Sequence, residues 1–309
     1  MQSASPILAA DIGGTRARFR SGDGTLELQT RDHAGIKALL TAALRDLGIP
    51  GEGLTAVLAL AGPVQGDHAS ITNLSWDCDG EALRRRFGLR HLVFMNDLEA
   101  AARALAEAPP GDARVLRAGI AVGRTAVLSV STGLGVAYWS RPAGVLHVEP
   151  SEAGHTGFAP GEDWDVEFLR TLERHHAGRV SWERVLSGMG LASIDAHLRQ
   201  APAMQPAEVV RRAAAGDAEA REAVRHFSRL LGVFAGDLVL SAPAPGGIWL
   251  MGGVLAGSKE LFDTPAFLQG FEAKGRLSPQ LAEVPVQLTA DDRLGLKGAW
   301  LVAQALLRG

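Results

Sequence analysis

The chain has a single cysteine, Cys78, in 309 residues. One thiol excludes a disulfide framework and any zinc site built from several thiolates. Lysine is nearly as scarce: Lys37, Lys259, Lys274 and Lys297 are the only lysines among 31 basic residues. None stands in a G-K-[ST] context, which excludes a Walker A phosphate loop. No G-x-G-x-x-G opens a helix near the N-terminus, and no apolar run approaches the roughly 18 residues of a membrane span. The opening MQSASPILAADIGG has no basic segment of the kind that starts a signal peptide. Charge of one sign is also lacking, since 31 basic and 34 acidic residues leave a net −3 and no overall pull toward nucleic acid. A soluble, cytoplasmic protein with neither nucleic acid nor membrane as partner is expected.

The residues that are present narrow the class. An apolar content of 47% excludes a disordered chain. Glycine is abundant, 37 residues, well above the average of about 7%, but without the three-residue period of collagen. The length suggests about two domains, at ~150 residues each.

Short apolar runs that stop at glycine recur along the chain. Residues 7–10 end at Asp11 and a Gly-Gly pair, and Ala17, Phe19 and Gly22 begin a return strand, so DIGGT reads as a hairpin tip. Residues 34–47 repeat at helical spacing and stop at Gly48, a C-cap. TAVLALAG (55–62) is a buried strand, EALRRRFG a short helix, and HLVFMNDLEAAARALAEA a strand, a turn and a helix. A break follows at 108–118, rich in Pro and Gly and without periodicity. TAVLSV (125–130) then closes on STGLG, with VAYW as return strand, so each half opens on a strand–glycine turn–strand unit and duplication is suggested. Helical signals dominate 163–240, with amphipathic stretches around 164–176 and 206–236. GIWLMGGV is the last buried strand and LGLKGAWLVAQALL a terminal helix. The alternation implies an α/β fold.

Three glycine turns are candidate phosphate cradles, because consecutive backbone N–H groups there can point into one concavity. They are DIGGT, STGLG and the Gly252-Gly253 pair. Asp11 beside the first could hold Mg²⁺, directly or through water; a tight hairpin with an exposed aspartate is the plainer alternative. Asn96-Asp97 follows the apolar run LVFM at a strand end, where open α/β sheets place ligands. A carboxylate there can accept a hydroxyl proton, or the pair can simply cap the next helix. Glu152 and His155, three apart in a glycine-containing loop, suit a polyhydroxylated ligand better than a metal. Glu183 is a further acid, or a first-turn helix glutamate complementing the dipole.

Taken in order, LAADIGGTRAR, ALAGPVQGDHASITNLSW, VFMNDLEAAA, STGLGVA, EAGHTGFAP, VSWERVLSGMGL and WLMGGV resemble the bacterial ATP-dependent glucokinases of the hexokinase/actin-like superfamily, in the branch without structural zinc. The resemblance implies a two-domain actin-like/hexokinase (ribonuclease H-like) α/β fold with a cleft, the small domain from 1–108 plus 293–309 and the large one from 109–292. It implies ATP and Mg²⁺ as cofactors, glucose as substrate, phosphorylation at the 6-hydroxyl as the first step of glycolysis, and a homodimer. Asp97 is then the general base. Asn96, Glu152, His155 and Glu183 are the other sugar ligands, with AGPV and TNLSW bordering the sugar pocket. Asp11, Gly13, Gly14 and Thr15 form the phosphate and Mg²⁺ loop, Thr132 and Gly133 the second phosphate loop, and Gly252 with Gly253 the adenosine side. This chain departs from the family pattern at Arg16 (usually Asn), Ser131 and Ala153 (usually Gly) and Gly157 (usually an acid). The Cβ of Ser131 is expected to restrict the turn and crowd the γ-phosphate. Phosphorylation of another hexose, or sugar binding by a regulator without catalysis, are the alternatives.

Overall fold

The computed structural model describes residues 6–71, 74–176 and 178–308. Contacts divide the chain into two units, residues 1–109 with 293–309, and residues 110–292. In chain order the strands and helices of the first stretch are β1 (Ile7–Ile12), β2 (Arg16–Ser21), β3 (Gly24–Gln29), α1 (Ile36–Leu47), β4 (Thr55–Leu60), β5 (Val64–Gln65), β6 (His68–Ile71), β7 (Trp76–Asp79), α2 (Gly80–Phe87), β8 (His91–Asn96) and α3 (Asp97–Glu107). The second unit contains β9 (Arg114–Arg117), β10 (Thr125–Val130), β11 (Leu134–Ser140), β12 (His147–Ser151), α4 (Asp163–His175), α5 (Trp182–Val185), α6 (Gly188–Arg199), α7 (Pro206–Ala214), α8 (Ala218–Ser241), β13 (Gly247–Met251), α9 (Gly253–Gly257), α10 (Thr264–Glu272), α11 (Ser278–Ala282) and β14 (Val286–Leu288). The terminal helix α12 (Leu294–Leu306) belongs to the first unit.

In the first unit the sheet order is β3-β2-β1-β4-β8, antiparallel between β1, β2 and β3 and parallel from β1 through β4 to β8. β4 is buried at all six positions because both faces are covered. Ile36, Leu39 and Ala43 of α1 pack with Leu8, Ala10 and Leu58 on one face. Ala100 of α3 and Leu296, Ala299 and Ala303 of α12 pack with Ile7, Ala9 and Val57 on the other.

The second unit repeats the plan. Its sheet order is β12-β11-β10-β13-β14-β9, again antiparallel for the first three strands and parallel from β10 through β13 to β14. The suggested duplication is therefore a repeated strand order, although the flanking sequences are unlike. A separate core, built around β10, β13 and α8, fills this unit.

Several local expectations change. Residues 114–117 form the strand β9, an antiparallel edge partner of β14, inside the stretch read as a break; four residues are too few to show a period. β14 follows the strand taken as the last. The amphipathic stretch 206–236 is two helices, because Gly216 takes φ +95° and Asp217 caps α8 through the Ala220 N–H, 2.9 Å away. No turn separates β8 from α3. The small sheet β5-β6-β7 was not legible as strands.

α4 and α8 are joined by a buried ionic cluster. Arg229 pairs with Asp165, whose carboxylate also accepts the backbone N–H groups of Gly161 (3.0 Å) and Glu162 (3.1 Å). Beside it the His226 ring stacks on Trp164 at 3.8 Å, and its Nε2 lies 3.3 Å from Glu222. Burial, reinforced by Arg225, pushes His226 down to about 4. The unfolded chain therefore binds a proton at this histidine more readily than the folded one. The neutral ring contributes its full stability above the ordinary value near 6.5, and stability is lost as pH falls from there toward about 4. The expected size of this loss is up to roughly 3 kcal/mol. His226→Phe, which keeps a ring on Trp164, should flatten this part of the urea-unfolding profile between pH 6.5 and 4. An unchanged slope would show that other groups set it.

Candidate active site

The candidate residues of the first unit lie at the ends of β1 and β8. The turn after β1 is tied down by three bonds: Gly13 N–H donates to the Arg16 carbonyl (2.9 Å), the Thr30 hydroxyl to the Gly14 carbonyl (2.8 Å) and Thr30 N–H to the Thr15 carbonyl (3.0 Å). Asp11, Gly13, Gly14, Thr15, Arg16 and Arg18 line a recess of about 240 Å³. The Asp11 carboxylate lies on the first turn of α12, where a Cβ added to Gly295 would come within 2.8 Å of its Oδ2. A helix N-terminus favours a negative group. With two arginines in the same lining, the single carboxylate of Asp11 suits a divalent ion that arrives with phosphates and takes its remaining ligands from them and from water. Among the described residues no group of three or more His, Cys, Asp or Glu converges as a metal site.

Asn96 and Asp97 divide the two tasks that their position permits. Asn96 is the cap: its Oδ1 accepts from Leu98 N–H (2.9 Å) and Glu99 N–H (3.2 Å), while its Nδ2 donates to the Gly62 carbonyl (3.2 Å). Asp97 is left for other work. Its Oδ1 accepts from Leu98 N–H at 2.8 Å, yet burial outweighs that bond and pushes the carboxyl up to about 6. Of the TNLSW segment, Thr72 and Asn73 lie outside the described residues, and Ser75 adopts φ +51°.

In the second unit Glu152, His155 and Glu183 come together. His155 Nε2 lies 3.6 Å from Glu152 and its Nδ1 3.9 Å from Glu183. Glu183 sits in the first turn of α5, as the dipole argument expects, but its Oε2 also accepts from Leu134 N–H at 3.2 Å, beyond the β10–β11 turn. A Cβ on Gly133 would lie 2.6 Å from that same Oε2. Gly154 faces the Leu134 carbonyl so closely that a side chain would overlap it. Thus the loop carrying Glu152 and His155 and the turn carrying Thr132 and Gly133 are in backbone contact.

Ser131 behaves differently from expectation. It is absent from the positive-φ residues; its N–H donates to the Gly133 carbonyl and its carbonyl accepts from Gly188 N–H, both at 2.9 Å. Its Cβ costs the turn no backbone strain. At the end of β13, Gly252 has φ +109° and abuts the Val130 backbone, so only glycine fits, whereas Gly253 opens α9 into free space. Thr132 is exposed. Arg18 and Glu27, absent from the residues expected from sequence, stand opposite each other on β2 and β3, with Asp11 opposite Arg18 on β1. The alternation of Arg16, Arg18 and Arg20 with Ala17 and Phe19 was the available signal.

Gly154→Ala should destabilise the protein by about 1–3 kcal/mol in urea unfolding, the usual cost of forcing atoms into filled space. Gly157→Ala, in the same loop but with open space around its Cα, should be near neutral. Equal effects would remove the close approach as the reason for glycine.

The chain is similar to known proteins over most of its length. Residues 8–306 match the glucokinase family. The glucokinase of Caulobacter vibrioides is 33% identical over 311 residues, covering 94% of this chain and 93% of the relative. A bifunctional protein of Burkholderia thailandensis is 38% identical over 307 residues, covering 92% of this chain and 46% of the relative. The crystal structure of a glucokinase from an Antarctic psychrotroph superposes with a TM-score of 0.83 at 30% identity, covering 97% of this chain and 99% of that one. With the family matched over residues 8–306 and a relative 33% identical over nearly the full length of both chains, the chain belongs to the glucokinase family.

Proposed function

We propose that this glucokinase transfers the γ-phosphoryl group of ATP to the 6-hydroxyl of glucose, with Asp97 as the base. The observation that carries the assignment of Asp97 is its carboxyl at the start of α3, released from capping by Asn96 and raised to about 6. A carboxylate of that basicity is ionised at neutral pH and still binds a proton, as a general base must. Phosphoryl transfer passes through a loose transition state, so positioning and charge stabilisation supply most of the rate. Proton acceptance by Asp97 contributes roughly 10²–10⁴.

The remaining residues bind and orient. Asn96, Glu152, His155 and Glu183 hold sugar hydroxyls, the acids accepting hydrogen bonds and the imidazole donating or accepting with its tautomer. The turns at Gly13–Thr15 and Thr132–Gly133 cradle phosphate oxygens, the first through the N–H groups of Gly14 and Thr15 since that of Gly13 is bonded to the Arg16 carbonyl, and Gly252 with Gly253 forms the adenosine side. Asp11 would hold Mg²⁺, which when bound neutralises phosphate charge. Assembly as a homodimer and work in the cytoplasm complete the reading.

Purified protein with Mg-ATP and glucose should release ADP and form a sugar phosphate, and a panel of hexoses measures specificity. Absence of turnover on every hexose would overturn the reading. Asp97→Asn should lower kcat by roughly 10²–10⁴ with the glucose Kd within a few-fold. In the native enzyme kcat/KM should fall tenfold per pH unit below about 6, as the carboxylate is protonated. Because folding raises this carboxyl, its ionised form costs stability above about 6 and the cost disappears below the unfolded value near 3.8. Asp97→Asn should therefore be more stable than the native protein at pH 7.5 by roughly 1–2 kcal/mol in urea unfolding, and no more stable near pH 3.5.

A further inference from the structure

The recess beside the Asp11 turn is more cationic than phosphate cradling by backbone N–H groups requires. Two arginines of β2, Arg16 and Arg18, line it together with the glycine turn. Ala17 and Phe19, the residues between and after them, are fully buried in the core, so the pleat turns both guanidinium groups to the opposite face. That face carries a row of alternating charge. Asp11 on β1 stands opposite Arg18 on β2, and Arg18 stands opposite Glu27 on β3.

Glu27 serves the two arginines unequally. Arg18 Nε donates to Glu27 Oε2 at 2.9 Å, and the Arg18 side chain is only 15% exposed. Arg16 Nη1 lies 3.7 Å from Glu27 Oε1, beyond hydrogen-bond length, with its side chain 53% exposed. An exposed ion pair at that distance holds its partners weakly, typically by less than about 1 kcal/mol. Arg18 is thus fixed in the sheet, while Arg16 is loosely retained at the rim of the recess. A phosphate offers a guanidinium two parallel charge-assisted bonds, better than the one long contact it has here.

We propose that Arg16 is a ligand for the phosphate chain of the phosphoryl donor, and that Glu27 competes with the phosphate for it. The inference rests on the glucokinase reading, since it takes the recess to be the donor's phosphate site. When the donor arrives, Arg16 leaves Glu27 and closes on a phosphate oxygen, and Arg18 keeps Glu27 paired so that no carboxylate is stranded. The residue acts on donor binding and leaves the sugar site alone.

The test is a double-mutant cycle with Arg16→Gln and Glu27→Gln, reading the KM for ATP, the KM for glucose and the calorimetric Kd for Mg-ADP. Arg16→Gln should raise the KM for ATP and the Kd for Mg-ADP five- to twentyfold, with the KM for glucose within twofold. Arg16→Lys should recover part of the loss, because it restores charge without the fork. Glu27→Gln should tighten Mg-ADP two- to fourfold in the native background and have no effect when Arg16 is already Gln. Unchanged Mg-ADP affinity in Arg16→Gln would overturn the proposal, as would a Glu27→Gln effect that persists without Arg16. Equal losses in ATP and glucose parameters would mean a structural role, and would overturn it too. Calorimetry with Mg-ADP reads the role of Arg16 even in a protein without turnover on glucose, so failure of the activity and failure of this proposal are separable.

Discussion

At the end of β13 the chain passes so close to the backbone of Val130 that no side chain can stand between them. This close approach of strand end to strand end is the constraint on which the candidate site of the second unit is built. Gly252 accepts it by taking φ +109° and starting α9 in the same step. One strand away, Gly154 meets the carbonyl of Leu134, and Gly133 leaves room for the carboxylate of Glu183. Glu183 in turn accepts from Leu134 N–H. The glycine turns, the acid and the imidazole loop are therefore one packed arrangement. The abundance of glycine has a structural meaning here: it brings backbone and functional groups together at strand ends, at the entropic cost glycine carries in the unfolded chain.

The first unit solves the same problem with charge. Its turn after β1 is secured by hydrogen bonds from Thr30, and Gly295 makes room for Asp11 at the first turn of α12. Two strands away, at the end of β8, Asn96 satisfies two N–H groups of α3, while the Asp97 carboxylate accepts from Leu98 N–H and meets an unfavourable burial. The fold supports a carboxylate that it would hold more cheaply as an acid. Such a group weakens the folded state at neutral pH, and groups of this kind cluster at functional sites. His226 shows the contrast: it is also shifted by burial, but it is enclosed by a buried ionic cluster between α4 and α8 and belongs to the packing.

Most of the candidate site was legible in the sequence because each element announces itself by a strand that stops at glycine or at a short polar pair. The hairpin at DIGGT, the helix ending at Gly48 and the terminal helix could be read from residue spacing alone. What spacing could not give was the division of labour between Asn96 and Asp97. Both residue types cap helices, and only the observed bonds show that Asn96 makes the cap. The unstrained backbone of Ser131 was equally hidden, since residue type alone says nothing of the φ that this chain adopts there. β9, β14 and the β5–β7 sheet escaped because runs of two to four residues carry no period. Their pairing is decided by partners distant in sequence, such as Arg114 on β9 and Leu288 on β14.

The two sheets share one strand order, yet the turn after the first strand has been put to different chemical use. After β10 the turn is neutral: Ser131 and Thr132 carry hydroxyls, the Ser131 N–H is spent on the Gly133 carbonyl, and the nearby Glu183 is engaged by Leu134. After β1 the turn is flanked by a carboxylate and two arginines on adjacent strands. A row of alternating charge across β1, β2 and β3 keeps these groups compatible, because Arg18 faces Asp11 on one side and Glu27 on the other. The acids lower the cost of holding cations side by side before a polyanion is present. The same pairing limits how strongly a polyanion can bind, since it must displace a carboxylate. In the proposed reading a site arranged in this way trades affinity for reversibility, which suits a donor that leaves carrying one phosphate fewer.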